Sequence, residues 1–356
     1  MTDRLNDAII KNYSHLRRSR VRMTVVVLCA ALLVLGVGCA RKGDPVSGGG
    51  DDDALGYRLV ANVTTVGYAE GVAVEGDMGF VSCGEIGLAM YDMTDPTAPL
   101  YIETASNNFT TEQCAYAPGS QMAFMTDGPN GVVAYDVSDP SNPMWKTVLQ
   151  STSGRDVAVA DTDPGHLVHV YVADRNGGFR IWEINLDFGP PWFPIEVYHG
   201  YTTGYAYGVF LHDDLALVAA GQGGLTIYEL TAPDEATELG SYDTPGNAQA
   251  VTAHGDYAFV ADGLQGVQIF DISDPESAAI VATIATDDYA SDIATDGDKL
   301  YVADRYGGLR VIDVSDPLAP AAFGFLDTPY ANGVCLSGDY VYLADRDLGL
   351  VIAEEE

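Results

Sequence analysis

Along most of the chain, apolar and polar positions alternate in short runs, and one five-residue pattern keeps returning: apolar, any residue, small or apolar, any residue, acidic. It reads LAMYD at Leu88, VVAYD at Val132, FRIWE at Phe179, LTIYE at Leu225, VQIFD at Val267, LRVID at Leu309 and LVIAE at Leu350. Successive copies start 44, 47, 46, 42, 42 and 41 residues apart, a register that excludes chance. Alternation of this kind is strand chemistry, because successive side chains of a strand leave opposite faces.

Each copy follows a second apolar run of the type YVAD and a hairpin. In the sixth unit, DIATDGDKLYVADRYGGLRVIDVSDPLAPAAFGFL, four short β segments are separated by Asp-Gly, Gly-Gly and Asp-Pro turn signals. Four strands in about 42 residues make one propeller blade. The seventh unit supplies three strands, near Ala331–Leu336, Asp339–Ala344 and Leu350–Glu354, and there the sequence stops. A further β-like stretch, YRLVANVTTV from Tyr57 to Val66, precedes the first unit and aligns with outermost strands such as PLYIETAS from Pro99. Pairing it with Leu350–Glu354 closes the ring and removes both exposed edges. The expected fold is all-β: a seven-bladed β-propeller of four-stranded antiparallel blades over residues 57–356, closed by the N-terminal strand.

Composition agrees. Glycine stands at 39 and tyrosine at 21, against 17 lysines and arginines, with 47% apolar residues: turns, strand formers and enough apolar surface for a large core.

The units LRVIDVSDP (309–317), VVAYDVSDP (132–140) and VQIFDISDP (267–275) resemble the LVIVD-repeat family of bacterial surface propellers. The resemblance spans roughly residues 57–356 and implies the propeller and an exported, often cell-surface location. It implies no defined reaction. Blades three and four depart from the pattern, with INLDFGPPWFP and ELTAPDEATEL in place of the Asp-Pro turn. Pro190, Pro191, Trp192 and Phe193 make blade three the expected site of a local protrusion.

The first 38 residues have a different character. Arg17, Arg18, Arg20 and Arg22 precede an apolar run from Met23 to Gly38 that ends at Cys39. At about 15 residues, the run falls short of the roughly 20 that span a bilayer as a helix, and it reads as the core of an export signal. LGVGC resembles the lipobox of bacterial lipoproteins, which implies lipidation of Cys39. A plain signal peptide and a retained membrane anchor are the alternatives. Ala40 stands where an inner-membrane retention signal has aspartate, so the resemblance favours the outer membrane or cell surface. Residues 39–56, rich in glycine and aspartate, suit a flexible tether.

The formal net charge is −34. Loss of residues 1–38 would make it more negative, since six basic residues leave with two acidic ones. Such a field repels nucleic acid and anionic lipid and attracts cations and basic surfaces. The expected contact with a membrane is through the lipid alone.

Candidate chemistry gathers where the second strand of each blade ends: Asp127, Asp174, Asp262, Asp304 and Asp345, with Arg175, Arg305 and Arg346 beside them. Equivalent positions of a propeller lie on a circle, so this set is placed at one mouth of the central channel. Either each aspartate accepts N–H bonds in the following turn, or the ring binds a cation or polar ligand. The loops entering each first strand carry Tyr68, Tyr205, Tyr289 and Tyr330, with Phe109 and Asn332, on the same face. These form a recognition surface or ordinary rim packing.

The SDP turns, with Asp139, Asp274 and Asp316, are turn initiators, and DTDPGH (Asp161–His166) is the nearest thing to a calcium loop. No cofactor is expected, with calcium a weak alternative. Cys83 and Cys114 end and begin strands on one face of neighbouring blades, which leaves a disulfide or two buried thiols open. His166 and His169 read as a turn residue and a solvent-facing strand residue. No nucleophile elbow or phosphate-cradling glycine loop fits the β context. The reading is an exported lipoprotein with a non-catalytic propeller that binds an extracellular or envelope protein or glycan. A propeller hydrolase or lyase acting on an extracellular polymer such as polysaccharide is the alternative, and a structural propeller associating through cations is a third.

Overall fold

A computed structural model of the protein describes residues 56–106, 110–188 and 192–356. The export signal, Cys39, residues 39–55, Phe109, Pro190 and Pro191 lie outside the described residues.

The strands form seven four-stranded antiparallel sheets, each a blade. In blade 1 they run Gly71–Glu75, Met78–Ser82, Leu88–Asp92 and Leu100–Ala105 from the axis outward. Every copy of the five-residue pattern is, or lies within, the third strand of its blade. Blade 7 takes its inner strands from Ala331–Ser337, Tyr340–Asp345 and Gly349–Glu355, and its outermost strand from Tyr57–Val63. The closing pair runs from Tyr57 opposite Glu355 to Val63 opposite Leu350. Ring closure by the N-terminal strand is as the repeat register requires.

The core is a ring of inter-blade layers. In the second strand of blade 1, Phe80 packs with Met125 of blade 2, whereas its neighbour Val81 packs with Tyr342 and Ile352 of blade 7. Both faces of a middle strand are therefore buried, which is why these strands read as nearly continuous apolar runs.

The acidic end of the repeated pattern also has a local reason. Asp92, Asp136, Asp271 and Asp313 each accept the main-chain N–H two residues on, at 2.9–3.0 Å, turning the chain toward the outermost strand. These bonds hold the four carboxyls below the usual carboxylate range, with the Ser or Thr hydroxyl contact the largest cause for Asp92, Asp271 and Asp313. For Asp136, the bonds to Ser138 and Lys146 outweigh an opposing burial effect.

Several expectations need correction. His169 is buried in the second strand of blade 3, its Nδ1 2.9 Å from the Thr162 hydroxyl. Trp192 folds back onto blade 2: its carbonyl accepts the Thr147 hydroxyl at 3.1 Å, and the Lys146 ammonium lies 5.1 Å from its ring. Phe193, 78% exposed, keeps the outward position expected of a protrusion.

Candidate functional site

The second strand of each blade ends in a short turn whose geometry decides what its residues can do. Two residues past the strand, the chain takes the left-handed conformation at Gly84, Gly128, Arg175, Gly221, Gly263 and Arg305, with φ from 31° to 60°. There each forms an isolated antiparallel bridge to the next blade, such as Arg175 with Ala206 and Arg305 with Ala331. For Arg305 both bonds are 3.0 Å: its N–H donates to the Ala331 carbonyl, and its carbonyl accepts the Ala331 N–H. Glycine fits this position without strain, and a residue with a Cβ is held there at a cost on the order of 1 kcal/mol or more.

The aspartates just before this turn do not face the channel as a free ring. Asp174, Asp262, Asp304 and Asp345 are fully buried and Asp127 is 3% exposed. Asp174 accepts Thr152 N–H at 3.0 Å and Ser153 N–H at 2.6 Å, and pairs with Arg180 at 2.7 Å. Asp262 accepts the Thr244 hydroxyl and Gly246 N–H, and Asp304 accepts the N–H groups of Asp287 and Asp288. Asp345 accepts Tyr330 N–H, together with Asp347 and Leu348 N–H in its own turn. Asp127 accepts the Asn130 amide at 2.9 Å. The turn-chemistry alternative describes these contacts, with one amendment: most of the carboxylates pin the loop entering their own blade. Burial pushes Asp127, Asp262 and Asp304 above the usual carboxylate range.

The arginines are placed differently. A cavity of about 220 Å³ is lined by Glu70, Gln113, Arg155, Ser291, Arg305, Tyr330, Asn332 and Arg346. These residues come from blades 1, 2, 3, 6 and 7, so the cavity lies on the axis of the ring, at the channel mouth. Nine Lys and Arg residues occur from Tyr57 onward. Three of them, Arg155, Arg305 and Arg346, line this cavity, and Arg175 stands beside it.

Glu112 takes two of these cations. It pairs with Arg155 and receives Arg175 Nη2 on both oxygens, at 2.7 and 3.0 Å. Glu70 accepts the Asn332 amide at 2.6 Å; burial raises its pKa, while Arg346, Arg155 and Arg305 oppose the rise. Among the described residues Arg305 and Arg346 form no ion pair; both stack on tyrosines. The Arg305 guanidinium lies 4.0 Å from the Tyr289 ring centre and 6.0 Å from that of Tyr330. Arg346 lies 4.5 Å from Tyr68 and 5.5 Å from Tyr330. Tyrosine and arginine thus alternate in one arc from the loop entering blade 6 round to blade 1.

Of the residues anticipated from sequence, Arg305, Arg346, Tyr68, Tyr289, Tyr330 and Asn332 are brought together here. Tyr205 lies farther round the rim, beside Tyr207. Sequence reading missed Glu70, Glu112, Gln113, Arg155 and Ser291. Glu70, Gln113, Arg155 and Ser291 each stand immediately before an innermost strand, and aligning that position across the repeats is the signal that finds them; Glu112 is one residue earlier.

Cys83 and Cys114 are buried free thiols, so the disulfide alternative is corrected. Their hydrogen bonds run to the main-chain carbonyls of Val81 and Phe80. In DTDPGH, the Asp161 carboxylate accepts Gly119 N–H and the Ser120 hydroxyl across the blade boundary, and His166 pairs with Asp187. Among the described residues no cluster of His, Cys, Asp or Glu is arranged to hold a metal ion.

The LVIVD repeat matches residues 66–106, 121–149, 203–244, 245–286, 287–328 and 330–353. The chain belongs to the LVIVD-repeat family. Blade 3 of this LVIVD-repeat protein, which carries Arg155 and Arg175, falls outside the matched segments, whereas blade 4 falls within them. No curated protein matches the chain. Among solved structures, it is similar to the WD40 β-propeller domain of Doa1, at TM-score 0.64 and 10% identity, over 85% of this chain and 98% of that one. It is also similar to the computationally designed Ika8 protein, at TM-score 0.58 and 7% identity, over 83% of this chain and 99% of that one. At these identities the likeness concerns the fold alone.

Proposed function

We propose that this LVIVD-repeat protein is an exported lipoprotein, anchored through Cys39 to the bacterial outer membrane or cell surface, whose propeller is a non-catalytic binding module with the channel mouth as its binding face. Its partner is an extracellular or envelope protein or glycan. No nucleic acid and no cofactor enter this reading, and the membrane is met through the lipid. The observation that carries it is the pair Arg305 and Arg346: two cations without ion-pair partners, held between tyrosines in a chain of net charge −34. Exposed tyrosine and arginine are the residue types that concentrate binding energy.

The hydrolase or lyase alternative draws on Asp292, which lies on an innermost strand with its pKa pushed up to about 7 by burial. Both of its oxygens accept main-chain N–H groups, from Ile293 and Val334, an arrangement suited to holding strands together.

Two measurements test the proposal. Metabolic labelling with a clickable palmitate should mark the chain and fail on Cys39→Ala. Capture from the envelope of the producing cell should recover a partner with the full chain and lose it with Arg305→Gln/Arg346→Gln; equal recovery by both would remove the mouth as the binding face.

A further inference from the structure

The channel mouth holds a selective arrangement of charge. Glu112 occupies Arg155 and Arg175, and Glu70 is tied to Asn332, so Arg305 and Arg346 are left without a counter-charge in ion-pair contact. Backbone economy does not explain Arg305, because the same turn is glycine in four other blades and arginine bears the strain of a left-handed φ of 45°. A guanidinium presents its donors in a planar fork that matches an oxyanion, and stacking on tyrosine fixes that fork before any ligand arrives.

The rest of the cavity narrows the class further. Its walls are polar: Gln113 offers an amide, Asn332 the amide oxygen and the N–H left after its bond to Glu70, and Ser291, whose proton goes to the Ala303 and Asn332 carbonyls, an acceptor oxygen. Its volume of about 220 Å³ is below the roughly 300–1,000 Å³ that seat a drug-sized ligand. A space of that size takes one ring rather than an extended chain segment. On the rim, Tyr68 and Tyr306 are 57% and 74% exposed, so neighbouring units of a polymer would meet aromatic faces outside the cavity.

We infer that the mouth seats a single hydroxylated ring bearing a carboxylate, a uronic-acid unit free or within an acidic glycan, with the carboxylate between Arg305 and Arg346 and the hydroxyls on Gln113, Ser291 and Asn332. The inference rests on the mouth being the binding face proposed above. It gives a use to the unpaired cations and to the polar groups around them.

Calorimetric titration of the full chain tests it with four probes: glucuronate, a glucuronate-containing oligosaccharide, glucose and an acidic peptide. Glucuronate should bind and glucose should not. Binding should weaken with added salt and fall at least tenfold in Arg305→Gln/Arg346→Gln. Arg305→Gly, which keeps the turn in the form four other blades use, should lose affinity while remaining folded. A polymer source is indicated if the oligosaccharide binds more tightly than the single unit, and a free acid if it binds less tightly or not at all; either supports the inference. Equal binding of glucose, preference for the acidic peptide, or unchanged affinity in both variants would overturn it. If no probe binds while envelope capture still depends on the two arginines, the sugar-acid assignment falls and the mouth remains the binding face. If capture is also independent of them, both readings fall.

Discussion

The carboxylate of Asp292, on the innermost strand of blade 6, accepts the main-chain N–H of Val334, on the innermost strand of blade 7, at 2.9 Å. Asp156 makes the same contact from blade 3 to Val209 in blade 4, also at 2.9 Å. An innermost strand has one edge without a ladder partner, and an unpaired N–H away from water is costly. These two aspartates satisfy such a group while linking neighbouring blades.

Burial pushes the Asp292 carboxyl up to about 7, with nearby Asp156 adding to the rise. A carboxyl whose pKa is higher folded than unfolded holds more protons in the folded chain between the two values. The stability linked to it is therefore fully present below the unfolded value and falls as pH rises through the folded one. From this group the loss should be on the order of 4 kcal/mol between about pH 4 and about pH 8. Asp292→Asn keeps an acceptor and should flatten that part of the profile. Thermal unfolding of both proteins across the range checks this, and parallel profiles would exonerate Asp292. The carboxyls held low, such as Asp313, act in the opposite sense, their stabilisation fading as pH falls through their folded values.

Arg305 and Gly263 occupy equivalent turns and predict opposite outcomes. Arg305→Gly relieves backbone strain and loses a cation–π contact of about 0.5–2 kcal/mol, so stability should change by no more than about 1 kcal/mol. Gly263→Ala places a Cβ at φ 60°, 2.9 Å from Tyr289 Cζ, on the ring that Arg305 stacks against. That change should cost about 1–3 kcal/mol. Urea unfolding of the two variants compares them directly, and equal losses would mean that Arg305 is kept for stability.

The buried aspartates should behave as structural groups. Asp304→Ala strands the N–H groups of Asp287 and Asp288, and a loss of about 2–4 kcal/mol is expected. Asp174→Ala also leaves Arg180 without its buried partner and should cost about 3–5 kcal/mol. Denaturant midpoints measure the loss, while affinity corrected for the folded fraction should stay close to wild type.

Cys83 and Cys114 should resist modification in the native protein, because burial pushes their thiols up to about 11 and about 12. Thiolate is the reactive form, so alkylation near neutral pH should be slow until the chain is unfolded. Mass spectrometry after alkylation, with and without reductant and denaturant, should find both cysteines free. A cross-linked peptide pair would refute this.

The sequence by itself determined the number of blades, the order of strands within them and the closure of the ring. The reason is physical: alternation along each strand and the turn residues between strands are local, and Val132, Leu309 and their counterparts repeat them in register. Closure follows because one strand each from Tyr57–Val63 and Gly349–Glu355 would otherwise present an open edge. Tertiary structure decided the chemistry of the mouth. The seven residues of a ring are some forty apart along the chain, so their partners are set by loops from different blades. Asp304 and Arg305 are neighbours in sequence, yet the turn sends the first inward onto main-chain amides and the second onto Tyr289 at the channel mouth. Which of two adjacent charged residues remains available to a ligand depends on the direction of one left-handed turn and on the blade packed against it.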